Sequence, residues 1–107
     1  DVYFKFNTNL VEAARWLRGH PDLPPTIVAQ DAVLFSAPTF AFEADGVPGL
    51  VSDVALDGPP QGRTWWLAPQ PPFPPLAVAP PSEGARVVKE LELPGGMVWL
   101  RVIETGG

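Results

Sequence analysis

Few side chains in this sequence can carry chemistry. There is one histidine and no cysteine. His20 sits in Gly19-His20-Pro21, just past a predicted helix end, and reads as an exposed post-helix residue. Paired carboxylates can serve acid–base work. Glu90 and Glu92 share one face of a predicted strand, and Asp53 and Asp57 flank the end of another. Both pairs read better as a solvated strand face and turn caps. Gln30-Asp31 comes directly after a short apolar run, the place where open α/β sheets put ligand contacts, although Asp31 is also placed to cap a helix. Trp65-Trp66 puts two indoles on opposite faces of a strand. Exposed, they would stack a sugar; otherwise one fills the core and one lies under the proline-rich segment. The candidate binding residues are therefore Gln30, Asp31, Trp65 and Trp66. No catalytic residue, metal ligand or cofactor is assigned.

Recognisable catalytic motifs are missing. The chain has no glycine-rich phosphate loop, no G-x-S-x-G, no H-E-x-x-H and no calcium-loop pattern. With 7 Lys and Arg against 12 Asp and Glu, the net charge is −5. Such a chain lacks the basic face that nucleic acid requires. Without cysteine there is neither a disulfide framework nor a thiolate metal site. The 107 residues fit one domain, residues 1–107, and 46% hydrophobic residues are too many for a disordered chain. The longest apolar stretch, Ala32 to Phe42, has 11 residues, well short of the roughly 20 that a spanning helix needs. The sequence opens on Asp1-Val2-Tyr3 without an initiator Met, as a piece of a longer protein would.

Periodicity gives the secondary structure that holds these residues. Residues 9–19 predict a helix with Asn9 as cap and Leu10, Ala13, Ala14 and Leu17 on one stripe. Gly19 is placed for the left-handed C′ position, and Pro21 forbids continuation. Phe4 and Phe6 lead into it. Thr26 to Ala29 reads as a strand buried on both faces, ended by Gln30-Asp31. Residues 32–45 read as two short helical pieces broken at Pro38. Gly46 and Gly49 bracket a turn. Leu50 to Leu56 and Arg63 to Ala68 are predicted strands. Nine of the fifteen prolines lie between 59 and 81. Interleaved with Phe73, Leu76 and Val78, they suggest an ordered irregular crossing rather than a free linker.

The last element permits a register test. A two-residue Gly95-Gly96 loop pairs Pro94 with Met97, Leu93 with Val98, Glu92 with Trp99, Leu91 with Leu100, Glu90 with Arg101, Lys89 with Val102 and Val88 with Ile103. A three-residue loop over Pro94 to Gly96 sets Leu91 against Trp99 instead. Cross-strand matching favours the two-residue loop. The expected fold is α/β, with α+β as the alternative. It is a small mixed sheet of about five strands, parallel in part at residues 26–30. An N-terminal helix and short helical pieces pack on it, and it ends in an antiparallel hairpin of residues 86–94 with 97–104. Leu17, Ile27, Val28, Leu91 and Leu100 are the expected core.

The order of elements resembles a known family. Tyr3-Phe4 and Val11-Glu12-Ala13-Ala14-Arg15-Trp16-Leu17 come first, then Thr26-Ile27-Val28-Ala29-Gln30 and Leu34-Phe35-Ser36-Ala37-Pro38-Thr39-Phe40. A proline-rich segment leads into Pro80-Pro81-Ser82-Glu83-Gly84-Ala85, and Leu93-Pro94-Gly95-Gly96-Met97-Val98-Trp99-Leu100-Arg101-Val102 closes the chain. This resembles the soluble C-terminal region of bacterial polytopic membrane glycosyltransferases of the dolichyl-phosphate-mannose–protein mannosyltransferase-like and aminoarabinose-transferase-like group. The resemblance implies a non-catalytic domain on the extracytoplasmic face of the membrane. Family catalytic carboxylates lie in the membrane-embedded half, so none transfers to this sequence. The implied partners are that membrane-embedded portion of the parent chain and a glycan or polyprenyl-phosphate sugar. The competing reading is a carbohydrate- or peptide-binding module of a secreted protein, resting on Trp65-Trp66 and the proline run. A purely structural subunit without a ligand is a third.

Overall fold

The structure, a computed structural model, describes residues 2–107, with side chains from Phe6 onward. Helix α1 spans Val2–Gly19. Its apolar stripe is the expected one: Leu10, Ala13, Ala14 and Leu17 are all buried. The helix begins before Asn9 because the stripe continues backwards to Phe6, four residues ahead of Leu10. The Phe6 ring stacks on Phe73 at 5.2 Å and meets Trp99 edge-on at 5.3 Å. Tertiary packing here outweighs the capping preference of Asn9, which is buried within the helix. The packing expected of Phe4 lies outside the described side chains. At the other end Gly19 is not in the left-handed region. The helix closes instead with the His20 N–H donating to the Leu17 carbonyl at 3.2 Å.

Strand β1, Thr26–Ala29, lies second from one edge of the sheet. Strands β2 (Leu50–Ser52), β3 (Thr64–Pro69), β4 (Arg86–Glu92) and β5 (Val98–Thr105) complete it in the order β2-β1-β3-β5-β4. β1 runs parallel to both neighbours, while β3 with β5 and β4 with β5 are antiparallel. This is the mixed α/β sheet that the sequence predicts. Ile27 and Ala29 face the helix side, where Leu17, Trp65, Leu67, Leu100 and Val102 close the main core. Val28 and Trp66 are fully buried on the opposite face. Both-sided burial explains the uninterrupted apolar run of β1.

Between β1 and β2 the chain makes one π turn, Asp31–Phe35, and then helix α2, Pro38–Glu43. Pro38 starts α2 at its first turn, where a missing N–H costs nothing. The turn back into β2 needs glycine. Gly49 has φ +76, and a Cβ there would run into the Pro25 carbonyl. That close approach lets the Gly49 carbonyl accept the Ile27 N–H at 2.8 Å.

The hairpin corrects one expectation and keeps another. Its loop has three residues, Pro94 to Gly96: the Leu93 N–H donates to the Met97 carbonyl at 2.8 Å and the Gly96 N–H to the Leu93 carbonyl at 2.9 Å. Gly95 and Gly96, at φ +103 and +97, supply the conformations it requires. Yet Leu91 still pairs with Leu100, Glu90 with Arg101 and Lys89 with Val102. The reason is a bulge: Glu92 pairs with Val98, so Trp99 is an extra residue on β5. It restores the register that the longer loop would shift and lets Trp99 and Leu100 both reach the core. A second bulge lies at Val88 on β4, where Val87 pairs with Ile103. Leu91 is the one fully buried residue of β4, at 4% exposure. Leu91→Ala is expected to cost about 2–3 kcal/mol. Urea denaturation checks this, and an unchanged midpoint would remove Leu91 from the core.

Candidate functional site

The carboxyl ends of parallel strands β1 and β3 face the same way, and their connections diverge. β1 continues through the π turn and α2 to β2, and β3 continues into the proline segment toward β4. Such a divergence opens a crevice that ligands commonly occupy. Gln30 and Asp31 stand here, as their sequence position suggested. Ser52 and Asp53, at the end of β2, join them.

The four polar residues form one node. The Gln30 Oε1 accepts the Val33 N–H at 2.6 Å, so Gln30, not Asp31, caps the π turn. Its Nε2 donates to the Pro75 carbonyl at 3.5 Å. The Ser52 hydroxyl donates to Asp31 Oδ1 at 3.0 Å and accepts from the Val54 N–H at 3.3 Å. Asp31 misses the cap because its carboxylate turns to Ser52 and its own N–H donates to Asp53 Oδ1 at 3.0 Å. The other oxygen of Asp53 accepts the Ala77 N–H at 2.6 Å.

Asp53 is the centre of the node and is only 1% exposed. The expected strand over Leu50 to Leu56 stops at Ser52 for this reason. Residues Asp53–Ala55 form a 3-10 turn that points the carboxylate inward. The sequence reading of Asp53 as a turn cap or solvated acid is corrected: it organises two segments far apart in the chain. Asp57, its suggested partner, is exposed. A signal for Asp53 was present. Ser followed by Asp after an apolar pair is a side-chain-to-backbone turn signature.

Residues Gln70 to Ala77 cross the crevice, tied to Gln30 through the Pro75 carbonyl and to Asp53 through the Ala77 N–H. This is the ordered proline crossing expected from Phe73, Leu76 and Val78. Phe73 reaches the helix side and stacks on Phe6. The Gln70 N–H donates to the Trp99 carbonyl at 2.8 Å and the Phe73 N–H to the Gln70 carbonyl at 3.0 Å. The positions that a ligand would use on Asp53 and Gln30 are thus taken by backbone groups of Ala77 and Pro75.

Trp65 and Trp66 lie elsewhere and are not brought to this node. Trp65 is 2% exposed and Trp66 is 0% exposed. Neither leaves a face open for stacking a sugar in this fold; of the two readings, burial rather than an exposed platform holds for both indoles. Each indole N–H is bonded to the end of β5: Trp65 to Glu104 Oε1 and Trp66 to the Thr105 hydroxyl, both at 2.9 Å. His20 is half-buried rather than exposed, its ring edge-on to Trp65 at 4.8 Å. Its Nδ1 accepts the Asp22 N–H at 3.2 Å. Glu90 pairs with Arg101 at 2.8 Å on the exposed face, and Glu92 is exposed.

The densest charge cluster surrounds Glu104, which the sequence did not single out. It is 6% exposed. Besides Trp65, its carboxylate accepts from Arg63 Nε at 3.0 Å and from Arg86 Nη2 at 2.9 Å. The indole N–H, and after it the two guanidinium groups, lowers its pKa to about 2 against the opposing effect of burial. Arg63 is held above its ordinary value by its hydrogen bond to Glu104. Arg63 also grips Asp22 through Nη2 to the carbonyl at 3.1 Å. Leu100, Val102 and Glu104 alternate along β5, so the pattern already put an acid on the apolar face.

No group of three or more His, Asp or Glu able to hold a metal occurs among the described residues. No described helix is long and apolar enough to cross a membrane. Comparisons with protein-family models, curated proteins and solved structures return no match to this chain.

Proposed function

We propose that this is a non-catalytic accessory domain. On the family resemblance, it serves the extracytoplasmic face of a membrane glycosyltransferase that uses a polyprenyl-phosphate sugar donor. There it covers the active-site mouth or contacts the acceptor. One observation carries the non-catalytic part of this reading: the polar groups of Gln30 and Asp53 are already bonded to the domain's own backbone. A buried carboxylate bonded to two N–H groups of its own chain is a strut, not an acid or base. A contact role has support in Phe42 and Phe35, 79% and 37% exposed on the connection that leaves this node. A carbohydrate-stacking module has less, because Trp65 and Trp66 are both buried.

Recovery of the complete reading frame tests the assignment. Eight or more spanning segments upstream of Asp1 support it, and fewer overturn it. In the parent protein, Phe42→Glu is expected to lower sugar transfer while the thermal midpoint of the isolated domain stays unchanged. Unaltered transfer would remove the proposed contact face.

A further inference from the structure

A pocket of about 400 Å³ opens beside the node, between α1, the π turn, the start of α2 and the proline crossing. Its walls are apolar: Phe6, Leu10, Val33, Ala37 and Phe73 dominate them. The polar side chains in the lining are Asn7 and Thr39, joined by a hydrogen bond from the Thr39 hydroxyl to Asn7 Oδ1 at 3.2 Å. No charged side chain lines it among the described residues. The volume lies within the roughly 300–1,000 Å³ usual for small-molecule sites. An apolar cavity of roughly 150 Å³ is enough for one benzene ring.

Two features make this a held shape rather than a loose gap. The Gln30 side chain fixes the Val33 wall by capping its N–H, and Asp53 holds the proline crossing that delivers Phe73. Two aromatic rings of the lining, Phe6 and Phe73, are backed by Trp99, edge-on to them at 5.3 and 6.2 Å. The Trp99 indole N–H is buried behind these rings without a hydrogen-bond partner among the described residues. A single π turn on one wall is also a feature met often at functional sites.

We propose that this pocket binds a compact neutral molecule: one or two rings, or a short alkyl chain, carrying one hydroxyl or carbonyl. The apolar walls take the hydrocarbon, and the Asn7–Thr39 pair meets the oxygen. The Asn7 carboxamide carries N–H donors besides the oxygen that Thr39 uses, and the Thr39 hydroxyl can also accept. A charged ligand is excluded because its desolvation would go unanswered.

Benzyl alcohol and benzoate are the probes, added to the intact protein and followed through its backbone and indole N–H resonances. Benzyl alcohol is expected to give saturable, millimolar shifts at the Trp99 indole, Val33 and Thr39. Benzoate, of the same ring size, is expected to bind about tenfold more weakly or worse. Ala37→Phe fills the pocket and should abolish the benzyl alcohol shifts. Thr39→Val keeps the shape and should weaken benzyl alcohol alone, so it decides the matter if the larger substitution unfolds the domain. Absence of saturation, equal response to benzoate, or full affinity in Thr39→Val overturns the proposal.

Discussion

Asp53→Ala is expected to destabilise the domain by about 3–5 kcal/mol, a large share of the roughly 5–15 kcal/mol available to a domain of this size. The cost does not come from lost apolar area. It comes from two backbone donors, the N–H groups of Asp31 and Ala77, which would lose their bonds to a buried carboxylate. Each hydrogen bond to a charged group contributes about 1.5–3 kcal/mol, more than a neutral one. Asp53→Asn keeps one acceptor oxygen and turns an amide N–H2 toward the other donor. It should lose about half as much. The damage should also be local. Ala77 lies in the proline crossing, whose prolines carry no N–H and so offer few other tethers. In Asp53→Ala the Ala77 amide should exchange freely with solvent, and residues 70–81 should become the first site of proteolysis. Hydrogen exchange of the folded variant checks this. Undiminished protection at Ala77 would show that the crossing is held by its aromatic contacts alone.

The residues in that prediction show where the sequence was informative and where it stopped. Gln30 and Asp31 were found because a strand buried on both faces announces itself as Thr-Ile-Val-Ala, and the next two residues of the chain must sit at its carboxyl end. Asp53 was missed because its role depends on Ala77, 24 residues away and contributing only a backbone N–H. The Ser52-Asp53 turn signature marks where the strand bends, but no side-chain pattern records the contact with Ala77. The expected strand through residue 56 failed at the same point, since a carboxylate turned inward outweighs the alternation of Val51 to Leu56. Phe6 shows the converse. Its stripe with Leu10 was visible, but Asn9 offered a local cap, and only Phe73 and Trp99 decide that the helix runs on.

The hairpin makes the point in another way. Pairing energy between Leu91 and Leu100 favoured one register, and that register is present over Lys89 to Leu91. The loop inferred from it is not, because an extra residue at Trp99 compensates for a three-residue turn. Register was legible because it is set by which faces are apolar. The bulge was not, because moving a large indole to the core side requires knowing that Phe6 and Phe73 wait there. The same limit explains Trp65 and Trp66. Their opposite facing could be read from the strand period, whereas burial on both sides is a property of the whole sheet.

Acidification is expected to unload the domain through Glu104. Its pKa in the fold is about 2, lowered from an ordinary 4.5 by the Trp65 indole first and then by Arg86 and Arg63. A carboxylate whose pKa is depressed on folding binds fewer protons in the native state than in the unfolded one. Its contribution is therefore complete above about pH 5. It shrinks as the pH falls through 4.5 toward 2. The gap corresponds to about 3 kcal/mol. Glu104→Gln should remove this pH-dependent part. In urea unfolding at pH 7 the variant should be less stable by about 2–3 kcal/mol, and the difference from the native sequence should close by about pH 2. Parallel curves down to that pH would mean that Glu104 does not carry the charge through folding. Glu104→Leu is the stricter case: it strands the Trp65 N–H inside the core, and its cost should persist at low pH. Arg86→Ala should do less than either, because that side chain is 68% exposed and returns easily to water. The ordering Leu, then Gln, then the Arg86 variant reflects where each change leaves a donor. A buried indole cannot find another acceptor, whereas a guanidinium at the surface can.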